Sequence, residues 1–342
     1  MPTILITTFF ENPYIYWRKG EFYLGKYIIR RLLGLIPMLF IITIIAFLMM
    51  HFAPGDAFTS IMNPNIKNID ELQESLRKAA GYDKSLPMQY FEWLKNFVTG
   101  DWGYSYVEYK PVLSLIGPAL YNTIFLAILA QIISIGVGVP IGIIQSRFPY
   151  SKFDYTSSTI LFIFFSIPSF IFGIILIYLF AINLGWFPAQ GAIGIGEGAG
   201  SFTNRLYHAF LPATSLILLS LVSHTRYVRG AMLDVRSSDY IRTAYAKGLG
   251  EGKVFGKHIF RNAMIPSITQ WGYDISSIVG GSIILERLFQ YEGMGLLTID
   301  AVSGRDYPVI MATTIIFAFA VLIGNLIADI LYAVVDPRIR YD

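Results

Sequence analysis

The chain has 342 residues, 54% hydrophobic and 14% charged, with a formal net charge of +3. Soluble domains carry about 25% charged residues, so the composition excludes an ordinary soluble fold and specifies a polytopic membrane protein. The absence of cysteine excludes disulfides, thiolate nucleophiles and cysteine-ligated metals, while the small net charge says little because the sidedness of charge matters more.

Residues 1–27 carry Phe9, Phe10, Tyr14, Tyr16, Trp17, Arg18 and Lys19, which predicts a cytoplasmic, interfacial segment lying on the membrane surface. The first transmembrane helix is placed at 28–53. Its apolar run, Leu32 to Phe52, exceeds the roughly 7–15 residues of a signal core and is anchored at its inner end by Arg30 and Arg31. An external loop follows over 54–118. Asn68 is a helix cap there, Asp70 and Glu71 fall in the first turn, and Gly81 is the stop. A second short helix starts near Pro87 and runs through Gln89 to Leu94, before the turn Gly100-Asp101-Trp102-Gly103-Tyr104-Ser105. Two readings stay open for this loop: a docking surface for an external partner, or a satellite core capping the bundle.

Six spans are predicted, at 32–52, 119–144, 157–184, 208–228, 266–285 and 307–335. Each approaches or exceeds the roughly 20 residues that cross about 30 Å of hydrocarbon, and runs this long must be helices. The core covers 115–336, and 337–342 is a cytoplasmic tail. Eight Lys and Arg fall between Arg226 and Arg261, against Arg205 alone in the outer loop before them, so both termini lie inside. The Gly-rich stretch Gly191 to Ser201 reads as a flexible linker.

The polar loop 229–265 joins the fourth and fifth spans. Ser238 is placed to cap a helix, Asp239 sits in its first turn, and Gly248 supplies a left-handed stop. Tyr240, Ile241, Ala244 and Tyr245 form one apolar face, with Arg242 and Lys247 projecting elsewhere. A second helical stretch, Glu251 to Arg261, returns the chain to the membrane. A rigid short helix between two spans passes a push from a partner into both; the competing reading is a helix lying on the bilayer.

Motifs for chemistry on this chain are missing. Lys247 to Val254 lacks the first Gly and the Ser/Thr of a phosphate-binding loop. His51, His208, His224 and His258 have no metal-ligand spacing and read as interfacial or solvated packing. No serine-hydrolase elbow occurs. Gln270, Tyr273, Asp274, Ser276 and Ser277 crowd the fifth span, and an ionisable residue at membrane depth faces a bundle interior or water. Gln270, Tyr273, Asp274 and Ser277 are therefore candidates for lining a translocation path, against interhelical packing helped by Gly280, Gly281 and Ser282. Asp329, with Asn325 four residues before it, reads as structural, pairing with a basic residue or meeting water. Asn122, Gln131 and Gln145 read as interhelical.

Asp239-Tyr240-Ile241-Arg242-Thr243-Ala244-Tyr245-Ala246-Lys247-Gly248-Leu249, followed by Arg261-Asn262-Ala263-Met264-Ile265-Pro266, resembles the EAA loop of binding-protein-dependent ABC importers. The likeness is to the B-type permease of the oligopeptide/dipeptide family. Gly100 to Ser105, Ser166-Ile167-Pro168-Ser169-Phe170, Arg305-Asp306-Tyr307-Pro308-Val309 and Asp336-Pro337-Arg338-Ile339-Arg340 match in order and spacing. Arg242 stands where the general importer motif has Glu, and Glu292-Gly293-Met294-Gly295 replaces Pro-Gly-x-Gly. The resemblance implies an all-α integral membrane protein with the type I ABC importer transmembrane fold, in the cell (plasma or inner) membrane. It makes Asp239, Tyr240, Arg242, Thr243, Ala244, Ala246, Lys247 and Gly248 the ATPase-coupling residues. It implies a second, C-type permease, two ATP-binding subunits carrying ATP and Mg, and an external substrate-binding protein. This chain itself is expected to hold no cofactor, metal or catalytic residue and no nucleic acid, and its surroundings are membrane lipid. Peptides, oligosaccharides and nickel are the solutes of such permeases. The rival readings are an ion- or proton-coupled secondary transporter, for which no clear repeat is visible, and a membrane-embedded enzyme.

Overall fold

The computed structural model describes residues 13–52, 71, 74–75, 77–78, 81, 83–196, 198–280 and 283–335. The side chains of 13–28, 273, 275–280 and 332–335 fall outside that description. The described residues are mostly helical and form no strand. Four helices are long and apolar enough to cross a membrane, or five if one bent pair counts as a single span.

The first is α1, Pro13–Phe52. It is one unbroken helix, so residues 13–27 continue the helix that carries the first apolar run. Pro13 fits a first turn, where its missing N–H is an orphan anyway, and no further Pro follows until Pro37. Arg31 pairs with Asp329 at 3.2 Å, the basic partner expected for that carboxylate.

In the loop 54–118, Asn68 and Asp70 lie outside the described residues. Helix α2, Leu86–Val98, starts with Pro87 in its first turn. It is clamped to α1 by Tyr90, whose hydroxyl meets Thr43 Oγ1 at 2.9 Å and whose ring packs edge-on against Phe47. Trp102 stacks on Phe97 with ring centres 4.5 Å apart. The turn around Ser105 is tied down by Asp306: the Ser105 hydroxyl and the Tyr106 N–H donate to its carboxylate. This loop therefore has a small core continuous with the bundle, and its Tyr104 and Tyr109 remain exposed.

Helix α3, Val112–Arg147, packs along α6, Phe202–Arg236. Small residues set the approach: a Cβ on Gly142 would meet the Thr225 carbonyl oxygen at 2.7 Å, the close contact that joins helices in lipid. The predicted span 157–184 is broken. Helices α4, Lys152–Ser166, and α5, Ser169–Leu176, the latter prolonged by the wide-turn segment Ile177–Asn183, meet at 93°. Pro168 causes the break, since it pushes Ile167 out of the helical region to φ −86°, ψ 122°.

After α6 come the short α7, Asp239–Ala246, a helical turn Glu251–Lys253, the wide-turn segment Val254–Phe260 and α8, Arg261–Gly280. Helix α8 has 20 residues, enough for about 30 Å at 1.5 Å each, and packs between α6 and α11. A Cβ on Gly272 would meet Ala328 Cα at 2.6 Å. Helices α9, Ile283–Leu288, and α10, Met294–Gly304, cap the end of the bundle away from α7 before α11, Tyr307–Val335.

Candidate functional site

Helix α7 is amphipathic but narrower on its apolar side than the sequence predicts. Ile241 and Ala244 are 1% and 7% exposed, whereas Tyr240 and Tyr245 remain 47% and 42% exposed. Positions three apart share a face, and the tyrosines flank it. Ile241 and Ala244 join one core with Val228 and Met232 of α6, Ile259 of the wide-turn segment, and Ala263 and Met264 at the start of α8. Asp239, Arg242, Thr243, Ala246, Lys247 and Gly248 stay exposed. Of the predicted coupling residues, Ala244 alone is buried, so it anchors the helix.

The two ends of α7 differ. Ser238 stands in the N-cap position, yet its hydroxyl makes no cap bond. It points back to the Asp234 carbonyl at 3.4 Å, because the carbonyls ending α6 compete for it. At the other end Gly248 adopts φ +78°. Its N–H donates to the Tyr245 carbonyl at 2.9 Å, and the Leu249 N–H reaches the Ala244 carbonyl at 3.3 Å, the paired bonds of a Schellman stop. Leu249 packs on the same core as Ile241. The helix is thus fixed by two buried side chains and its C-terminal lock.

A second site lies higher on the same two helices. Asp274 of α8, 26% exposed at its side chain, faces His224 of α6, which is 3% exposed, with Nδ1 to Oδ2 at 3.8 Å. Gln131 of α3 joins them: its Nε2 stands 3.3 Å from His224 Nε2 and 3.4 Å from Asp274 Oδ2. Gln270 donates to Asp274 Oδ1 at 3.3 Å. The Gln131 amide thus bridges the imidazole and the carboxylate. These residues, with Phe165, Leu219, Ser220 and Ser223, line a cleft of about 180 Å³. The predicted path residues Gln270 and Asp274 therefore come together. The side chains of Tyr273 and Ser277 lie outside the described residues. His224 corrects the sequence expectation of solvated or interfacial packing, and Gln131 is part of this cluster although the sequence marks it only as interhelical. The other interhelical expectations hold locally: Gln145 bonds Ser157 at 2.8 Å.

The end of the bundle away from α7 carries a third set of polar contacts. Glu286 of α9 is fully buried. It accepts the Thr123 hydroxyl at 2.9 Å and the Gly295 and Leu296 N–H groups at 2.7 and 3.1 Å, so it caps α10 from a distance. Burial pushes its carboxyl above the usual range, and those three donors pull it back. A Cβ on Gly293 would lie 2.5 Å from the same carboxylate, which explains the glycine. Glu292 accepts the Ala192 N–H at 2.6 Å, and Asn122 links the Glu292 carbonyl to Arg205. The stretch from Gly191 to Gly194 is consequently docked, with Ala192 fully buried, and is not a flexible linker.

Among the described residues no group of three or more His, Asp or Glu could hold a metal ion.

Known proteins resemble this chain over most of its length. The family described as "Binding-protein-dependent transport system inner membrane component" matches residues 138–341, and the N-terminal region described for such membrane components matches 24–127. The oligopeptide transport system permease protein AppB of Bacillus subtilis (strain 168) is 45% identical over 319 residues, covering 93% of this chain and 100% of the relative. The glutathione transport system permease protein GsiC of Escherichia coli (strain K12) is 38% identical over 316 residues, covering 92% and 99%. A chain from the inward facing MetNI methionine ABC transporter superposes with a TM-score of 0.53 at 17% identity, covering 66% of this chain and 98% of that one.

Proposed function

Because this chain belongs to the family of binding-protein-dependent transport system inner membrane components, with the type I importer fold, we propose how it works within such a complex. Membership sets aside the secondary-transporter reading, since the relatives are permeases of partnered ABC systems. The finer assignments are ours. The chain crosses the membrane six times with both termini inside; 28–53 is an added first span, 54–118 an external loop, 115–336 the permease core and 229–265 its coupling loop. It forms half of the solute path with a C-type permease. Two ATPases sit below, and a substrate-binding protein docks above. The solute is a peptide, as the names of AppB and GsiC suggest.

The observation that carries this reading is α7. Its exposed Asp239, Tyr240, Arg242, Thr243, Ala246 and Lys247 surround a two-residue anchor seated on α6 and α8. A load on α7 is delivered to both helices at once. His224 lies eight residues along α6 from Met232, and Asp274 ten along α8 from Met264, roughly 12–15 Å away. Closure of the ATPases would thus move the helices that carry the polar cleft, giving alternating access without covalent chemistry on this chain.

ATPase activity of the reconstituted complex tests it. Ala244→Glu and Gly248→Pro should abolish docking of the ATPases or the stimulation of hydrolysis by the binding protein while the membrane domain stays folded. Unchanged docking and stimulation would remove α7 from the coupling role.

A further inference from the structure

We propose that the buried ion pair Asp154–Arg229 is a second coupling joint, which passes the movement that α7 imposes on α6 into the bent helix pair α4–α5. The inference deepens the reading above and rests on it, since a load on α7 must first reach α6. Asp154 and Arg229 are positioning residues in this scheme: they set how α4 follows α6.

The pair lies where α4 starts and the seat of α7 begins. Arg229 Nε donates to Asp154 Oδ1 at 2.9 Å and Nη2 to Oδ2 at 2.8 Å, a two-pronged match that fixes orientation as well as distance. Asp154 is 3% exposed. Its Oδ2 also accepts the Tyr150 N–H at 2.9 Å, while its own N–H donates to Ser151 Oγ at 3.2 Å. Tyr150 holds φ +60°, a left-handed conformation that costs a residue with a side chain and persists where the surroundings over-determine it. One carboxylate thus binds both the strained turn between α3 and α4 and the side of α6. Arg229 follows Val228, which with Met232 packs against Ile241 and Ala244 of α7.

The faces of α6 keep its two tasks apart. Val222, Arg226 and Arg229 stand four and three residues apart and form one stripe. All three meet α4: Val222 shares a core with Leu161, Arg226 lies over the Phe162 ring at 5.0 Å, and Arg229 holds Asp154. Val228 and Met232 form the neighbouring stripe, toward α7. The contacts with α4 differ in kind along their length. Apolar contacts are non-directional and let one helix slide on another, whereas a two-pronged ion pair does not. A buried pair is weak evidence for stability, and its best-attested use is to hold register. The joint therefore pins the start of α4 to α6. About three turns along α4 from Asp154 stands Phe165, a wall of the polar cleft, and the bend at Pro168 follows. When α6 moves, that wall moves with it.

The test uses the complete complex in lipid nanodiscs, with two readouts. The first is the distance between spin labels, which the absence of cysteine in this chain permits once the partner subunits are cysteine-free. Labels at Tyr155→Cys on α4 and Tyr227→Cys on α6, both exposed, should keep their separation between the nucleotide-free and the ATP–vanadate-trapped complex. Labels at Tyr155→Cys and the exposed Val302→Cys on α10 should shift by about 2 Å or more. A changed separation of α4 from α6, or an unchanged one of α4 from α10, would overturn the joint. The second readout is stimulation of ATPase activity by the binding protein. Asp154→Asn turns one carboxylate oxygen into a donor, and Arg229→Lys keeps the charge but loses the fork. Each should lower stimulation about fivefold or more while hydrolysis without binding protein persists, and the double variant should lose no more, since both act through one link. Stimulation preserved in either variant, even with a lowered melting temperature, or losses that multiply in the double variant, would reduce the pair to a tie within the fold. If the variants do not fold, the label distances alone decide. Stimulation of the otherwise unaltered complex alongside any of these contrary results removes the joint and leaves the permease reading standing; its absence removes the permease reading itself.

Discussion

The two ends of this molecule, named inner and outer after the proposed topology, handle polar groups in opposite ways. At the inner end, α7 turns its charges outward and holds on through Ile241 and Ala244. At the outer end, Glu286, Asp306 and Ser105 are buried and hydrogen-bonded to chain segments far away in sequence. An element meant to be gripped by a partner leaves its polar side open and fixes its backbone. An element meant to hold loops together buries its polar groups and satisfies them. An unsatisfied buried group costs about 1–3 kcal/mol, and more when charged, so the outer lock tolerates substitution poorly, whereas exposed α7 residues can change without loss of fold.

The largest effect that would break this contrast is at Ala244. A glutamate there buries a charge against Val228 and Met232, which costs several kcal/mol unless α7 lifts off. Coupling should be lost entirely, while Arg242→Ala, at an exposed position, should leave thermal stability of the membrane domain unchanged. Equal losses of stability from both would erase the distinction between anchor and exposed face.

Next is Glu286→Ala at the outer end. It strands the Gly295 and Leu296 N–H groups and the Thr123 hydroxyl, with an expected loss of about 2–4 kcal/mol. Thermal unfolding of the purified complex measures it. A smaller effect is expected from Glu292→Ala, which frees the Ala192 N–H for about 1–2 kcal/mol. Hydrogen exchange should then rise around 191–194 and stay constant in α7. Exchange rising equally at both ends would show that the two regions are one cooperative unit.

What was legible in the sequence divides along the same line. The long spans follow from apolar runs, and α7 with its stop at Gly248 follows from local chemistry: capping residues, a short apolar face and one glycine. The inner sites depend on neighbours within a few residues. The outer lock does not. Thr123 and Glu286 are separated by 163 positions, and no periodicity marks either. The pairing of Gln131 with His224 across 93 positions is hidden in the same way, which is why local pattern alone marks His224 as interfacial or solvated. The bend at Pro168 is different: the signal was in plain view, but an apolar run on both sides outweighed it. Glu292 was visible as a departure from Pro, yet its use as an acceptor for Ala192 required the fold.

The finest test of the outer lock is its response to pH. Burial raises the Glu286 carboxyl above its unfolded value of about 4.3. The folded state therefore holds the proton more tightly than the unfolded one. This contribution to stability is fully present below the unfolded pKa and is lost as pH rises through the folded pKa. Glu286→Gln keeps an oxygen for the Gly295 and Leu296 N–H groups and removes the titration. The stability of wild type relative to this variant should therefore fall between about pH 4 and the raised folded value and be flat above it. A wild type that instead gains stability over that window would mean that the three donors outweigh burial, and that the outer end is held by a charge, as in an ordinary helix cap, and not by a proton shared with a buried acid.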